Sequence, residues 1–280
     1  MFVSTLVVKG IATELQRHGH DTSAWLRRAK LEPPDSPGAP THIDVRACAD
    51  LAEEAARALD DPALGLTIAS REHAFTFHLL GYMLLSSRNL LEAFRLCQKY
   101  SCLVMDNLRF EVVDLGARTH LRFEVLAAGD SAFAHFCEDL TVALVYRLIM
   151  HQVPGAPAPE VWLSRPRPDR TARYHELFSG RVRFGASRCE VLVARDLLEI
   201  RQSHGDPHVL EWLKKAADAA LLRDRSAVST MTERVRMVLA KEPDGRTPLA
   251  HENRCPAGCR RARAPEAPSR RREQRSSSSR

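Results

Sequence analysis

After Leu249 the chain contains no Val, Ile, Leu, Met, Phe, Trp or Tyr. A segment without large apolar side chains cannot offset the entropy of ordering its backbone by burying surface, so residues 250–280 are expected to be disordered in isolation. Whatever folds must fold within the first 249 of the 280 residues. Charge divides at the same place. Of the 41 basic and 35 acidic residues, nine arginines and three glutamates fall in 251–280, leaving 32 of each sign before them. The formal net charge of +6 therefore belongs to the tail, and the body is neutral.

That body is long enough for one large domain or two ordinary ones, and a 44% hydrophobic content is that of a globular chain. The best apolar run, Leu140 to Met150, falls short of the roughly 18 residues that a membrane helix needs and contains Arg147. The short apolar stretch Phe2 to Val8 is followed, not preceded, by Lys9, so an export signal is not expected. These features lead to the expectation of a soluble protein with no membrane partner.

Periodicity assigns the elements. Val8, Ile11, Ala12 and Leu15 have helical spacing, Gly19 interrupts it, and Asp21 or Thr22 can cap a second short helix through Trp25 and Leu26. A loop containing Pro33, Pro34, Pro37 and Pro40 follows. A third helix is expected from Asp44 to Leu59, with Val45, Cys48, Leu51, Ala52, Ala55 and Leu59 on one face. Asp61-Pro62 starts another, since the aspartate accepts from free amides and proline at a first turn loses no needed donor. Leu79 to Asp106 is helical in period with a break at Ser86 and Ser87.

Period two then takes over. Leu108, Phe110, Val112 and Leu121, Phe123, Val125 alternate with polar residues on either side of Asp114-Leu115-Gly116-Ala117, which predicts a hairpin with one buried face. A helix over Ser131 to Gln152, a strand near Val161 to Leu163, a helix Thr171 to Phe178, and strands Arg181 to Phe184 and Glu190 to Val193 follow. Asp206-Pro207 opens a helix with Val209, Leu210, Leu213, Ala217, Ala220 and Leu221 on its apolar side. A last helix is expected from Ser229 to Lys241. Helices mixed with mostly antiparallel strands define an α+β class, helix-rich at its N-terminal end.

No catalytic constellation emerges. His73 and His78 are five residues apart, off the spacing that sets two metal ligands on one helix face. His135 beside Glu138 and Asp139 is either an acid–base group or a solvated polar helix face, and the latter is the commoner arrangement. Cys255 and Cys259 have a spacing that zinc could use, but no second ligand pair is present. Cys48, Cys97, Cys102, Cys137 and Cys189 read as small buried hydrophobes in a reducing compartment. No cofactor or metal is expected. Arg260, Arg261, Arg263 and Arg270 to Arg272 can attract phosphates without sequence preference, or can simply form an unstructured end.

Four stretches, in order, carry a resemblance: DPALGL at Asp61 to Leu66, LLGYMLLSSRNLLEAFRLCQKY at Leu79 to Tyr100, FSGRVRFGASRCEVLVARDLLE at Phe178 to Glu199, and DPHVLEWL at Asp206 to Leu213. Together they resemble the N-terminal sensing domain of AraC-type transcription regulators, in the branch with the arabinose-binding-type N-terminal domain. The resemblance implies an apolar pocket for a small organic effector within residues 1–222, a homodimer, promoter DNA as partner and a cytoplasmic location. No ligand-binding or DNA-binding residue can be named from it. RSAVSTMTERVRMVLAKEPDGRTPLA, Arg225 to Ala250, resembles the linker and opening helix of the family's DNA-binding domain, so 223–249 is expected to begin an incomplete helix-turn-helix. The family pattern then expects further apolar helices where this chain has its arginine-rich tail. An out-of-frame or truncated end would explain that composition, and a helix-turn-helix pattern in another reading frame of the gene would test it. The other outcome is a DNA-silent module acting through an intact paralogue.

Overall fold

The computed structural model describes residues 1–31, 42–71, 78–126 and 132–222. The expected proline loop at 33–40, His73, the side chain of His78, the helix at 229–241, both C-terminal cysteines and the arginine tail lie outside the described residues.

The chain opens with a three-residue strand, β1 (Phe2–Ser4), that runs directly into α1 (Thr5–Arg17), followed by α2 (Thr22–Arg28). Asp21 caps α2 by accepting from the amides of Ser23 and Ala24. β2 (His42–Asp44) pairs antiparallel with β1 and leads into α3 (Val45–Ala58), where Asp44 accepts from the Arg46 amide. Val45, Cys48, Leu51, Ala52 and Ala55 of α3 are buried, as the spacing requires, whereas Leu59 becomes its half-exposed C-cap. The small β1–β2 ribbon was not legible in the sequence. It is anchored by Phe2, whose amide donates to Asp106 Oδ1 at 2.8 Å, and by the Ser4 amide on the Val104 carbonyl at 2.7 Å.

α4 (Leu64–Arg71), α5 (His78–Ser86) and α6 (Leu90–Tyr100) follow. Asp61 serves α4 twice: Oδ1 accepts from the Ala63 amide and Oδ2 from the Thr67 hydroxyl. The break between α5 and α6 falls at Ser87 and Arg88, where Asn89 caps α6 through the Glu92 amide at 2.9 Å. A single 3-10 turn at Ser101–Leu103 ends this helical half.

β3 (Leu108–Leu115) and β4 (Arg118–Val125) form the expected hairpin. Its turn is tighter than the four residues that the alternation suggests, because Leu115 already pairs with Arg118, leaving Gly116 and Ala117. Gly116 has φ +70° at the first central position, a conformation that matches the twist of two-residue hairpin turns. The sheet is completed by β5 (Glu160–Trp162), β6 (Val182–Arg183) and β7 (Cys189–Ala194), in the order β3-β4-β7-β5-β6. All neighbours are antiparallel except β5 and β6. This is an α+β architecture: a helical half and a mostly antiparallel sheet.

α7 (Ala132–Gln152) joins the two halves. Apolar residues at helical spacing, Phe133, Phe136, Cys137, Leu140 and Leu148, are buried and Leu144 is half-buried, but Glu138, Asp139, Val142, Ala143, Tyr146 and Ile149 are buried too, so the helix is enclosed nearly all round. α8 (Ala172–Leu177) and α9 (Arg195–Glu199) are short, and α10 runs over 207–222. Asp206 caps α10 through the amides of His208 and Val209. Its buried face is Leu210, Leu213 and Ala217; Val209 is exposed, against the sequence reading, and so is Trp212. α10 is held to α6 by Asp218, whose Oδ1 accepts from Tyr100 Oη and Lys99 Nζ, both at 2.8 Å.

The second and fourth of the quoted stretches meet. Asp206 donates its amide to the Ser86 carbonyl at 3.0 Å, and Gln202 donates to the Arg88 carbonyl at 2.8 Å, joining the start of α10 to the α5–α6 break. Asp60 and Asp61 face the segment before and within α8, through Arg170 at 2.9 Å and Arg173 at 2.7 Å.

Candidate functional site

Alternation along the hairpin decides where a site can form. Phe110, Leu121 and Phe123 point to the core, so Arg109, Glu111, Arg122 and Glu124 occupy the other face. Register places Arg109 opposite Glu124 and Glu111 opposite Arg122. Arg109 Nη1 donates to Glu124 Oε2 at 3.0 Å. Arg122 Nε donates to Glu190 Oε1 at 2.9 Å, and the second oxygen of Glu190 lies 2.6 Å from His120 Nδ1.

Where β3 starts and β4 ends, this charged face runs into the first turns of α7, the loop after β5 and the start of β7. The result is a cleft of about 570 Å³. α7 contributes His135 and Glu138, the loop Ser164 and Arg165, and the start of β7 Arg188 and Cys189. Phe123 supplies an apolar patch. The volume falls within the roughly 300–1,000 Å³ typical of small-molecule sites.

Glu138 and Asp139 do not form the solvated face expected from the sequence. Glu138 is buried and its Oε1 accepts from the Ser164 amide at 2.7 Å and hydroxyl at 2.9 Å. Asp139, 1% exposed, lies opposite Arg165, 9% exposed. Arg165 Nη1 donates to Asp139 Oδ2 at 2.6 Å and to Tyr174 Oη at 2.7 Å, while Tyr174 donates to the same Oδ2 at 2.6 Å. Burial pushes the Asp139 carboxyl up to about 7, against the pull of Arg165 and the Tyr174 hydrogen bond. Asp139 Oδ1 and Arg165 Nε are buried with no hydrogen-bond partner among the described residues. His135 borders the cleft.

Other spaces compete, among them an apolar cavity and a wide groove. The apolar cavity between α5, α6, β3 and α7, lined by residues such as Leu84, Phe94, Phe110 and Leu144, has a volume of only about 100 Å³. That is well under the size of an ordinary effector site. A groove of about 880 Å³ on the other side of Arg165 is walled by Asp60 and Asp61, which are already closed onto Arg170 and Arg173. Among the described residues no group of three His, Cys, Asp or Glu side chains could hold a metal ion. Of the five described cysteines, Cys48, Cys97, Cys137 and Cys189 are buried, as expected, but Cys102 is exposed.

Residues 19–201 match the family model described as the arabinose-binding domain of AraC transcription regulators, N-terminal. The chain belongs to that family. It is a family of transcription regulators rather than of enzymes. Among solved structures, the chain is similar to the transcriptional regulator CdpR from Pseudomonas aeruginosa, at 17% identity and a TM-score of 0.50. The likeness covers 67% of this chain and 58% of that regulator, so the chain spans little more than half of the relative's length. At this identity the likeness concerns the fold alone. No curated protein matches the chain.

Proposed function

We propose that residues 1–222 are the effector-sensing and dimerisation domain of an AraC-type transcription regulator, that 223–249 are the linker and first helix of a DNA-binding domain, and that the chain acts in the cytoplasm. The observation that carries this reading is the family match over 19–201, which spans every element that walls the 570 Å³ cleft. None of the helices among the described residues is long and apolar enough to cross a membrane, which is compatible with a cytoplasmic regulator.

A sensor works by binding its effector more tightly in one state than another, and any ligand that prefers the native state also raises its melting temperature. A thermal-shift screen of the 280-residue chain against organic acids, amino acids and sugars should therefore yield at least one compound that raises Tm in proportion to the logarithm of its concentration. A panel that leaves Tm fixed throughout counts against the sensing role. Homodimerisation is read from sedimentation over a range of protein concentrations, where a single monomeric species at high concentration would remove that part of the proposal.

A further inference from the structure

We infer that the cleft at the end of the sheet takes a small organic acid, whose carboxylate is held by Arg188 and Arg165. This rests on the sensing role proposed above and gives that role a site and a ligand class.

The charges in the cleft sort into those already used and those left over. Arg109 and Glu124 neutralise each other at 3.0 Å, and Arg122 is spent on Glu190. Glu138 is held by Ser164. Arg188, exposed at the start of β7, has neither ion pair nor side-chain hydrogen bond among the described residues. Arg165 is nine-tenths buried, uses only Nη1 on Asp139 and Tyr174, and leaves Nε without a partner. A buried unpaired guanidinium nitrogen is costly and therefore uncommon unless a ligand completes it. A carboxylate suits these two arginines because its two oxygens match the guanidinium fork. Phe123 offers the acid's carbon skeleton an apolar surface. Glu111, the remaining carboxylate of the cleft without a charged partner among the described residues, can accept from a hydroxyl or ammonium group at the ligand's other end.

The test uses the full 280-residue chain with succinate, lactate, glutamate and benzoate, each beside its amide, and with inorganic phosphate as a bare anion. At least one acid should raise Tm by roughly 5 °C at a hundredfold excess over its Kd, while its amide has no effect. Arg188→Gln should keep the unliganded Tm and lose at least tenfold in affinity for that acid by titration calorimetry. Arg165→Lys, which preserves charge but not the fork, should also lose the response. Equal shifts from an acid and its amide, or an acid response undiminished in Arg188→Gln, overturn the site while leaving sensing intact. A shift from phosphate alone, with no organic acid active, also overturns it. No shift from any compound here or in the wider screen fails both readings together.

Discussion

Asp139 concentrates the electrostatic cost of the fold at one atom. Its Oδ2 receives both Arg165 and Tyr174, while its Oδ1 receives nothing among the described residues. Burial dominates, and the carboxyl is raised to about 7. A raised carboxyl has a definite sign in the pH dependence of stability. Below about 4 the group is protonated in both folded and unfolded chains and contributes no slope. Between about 4 and 7 the unfolded chain releases the proton and the folded one keeps it, so stability falls as pH rises, by roughly a few kcal/mol across the window. Above that range both states are ionised and the slope vanishes. Urea midpoints of Asp139→Asn should therefore decline less between pH 4 and 7 than those of the unchanged protein; parallel profiles would show that the carboxyl titrates normally. Burial acts on thiols in the same direction. It pushes Cys48 and Cys97 up to about 12, which leaves both as unreactive packing groups.

α7 positions this residue by packing against α4 at a close crossing. A Cβ added at Gly65 would sit 2.4 Å from the Phe136 carbonyl oxygen and 3.0 Å from the Leu140 amide, both of them backbone atoms that cannot swing aside. Gly65→Ala should cost about 2 kcal/mol or more in urea denaturation, and an unchanged midpoint would mean that the two helices separate freely. Of such elements, the sequence discloses those whose information is local. Asp21, Asp44 and Asp206 each stand at the start of a run with period 3.6, and α2, α3 and α10 begin where those residues stand. α7 was legible as a helix but not as an enclosed one, because a charged pair at Glu138 and Asp139 reads as solvent-facing until Ser164 and Arg165 are known to lie opposite. β1 and β2 escape because three residues are too few to show alternation. Strand order is likewise non-local: β4 pairs with β7, and Arg122 with Glu190, across a long intervening stretch. The cleft inherits that difficulty, being assembled from β3, β4, α7 and two loops. Arg165 in particular stands in Ser-Arg-Pro-Arg-Pro, a composition of exposed turns, and only the fold carries it inward.

For the whole molecule, charge separates a neutral body from a tail that bears the net +6. Electrostatic attraction to phosphate releases counterions, and log K then falls against log salt with a slope of about −0.9 per phosphate neutralised on duplex DNA. The nine arginines of 251–280 allow a slope no steeper than about −8, and attraction to phosphate by itself carries no sequence information, since sequence is read at base edges in the grooves. DNA binding by the 280-residue chain should accordingly be weak, indifferent to sequence and lost by physiological salt. Removing 251–280 should abolish it while leaving the Tm and its response to the effector unchanged. Mobility shifts with promoter and scrambled duplexes at 50 and 200 mM salt distinguish the outcomes. Retention of the promoter duplex alone at the higher salt would place base-specific contacts in residues 223–249, and the separation of a sensing body from a DNA-indifferent tail would not stand.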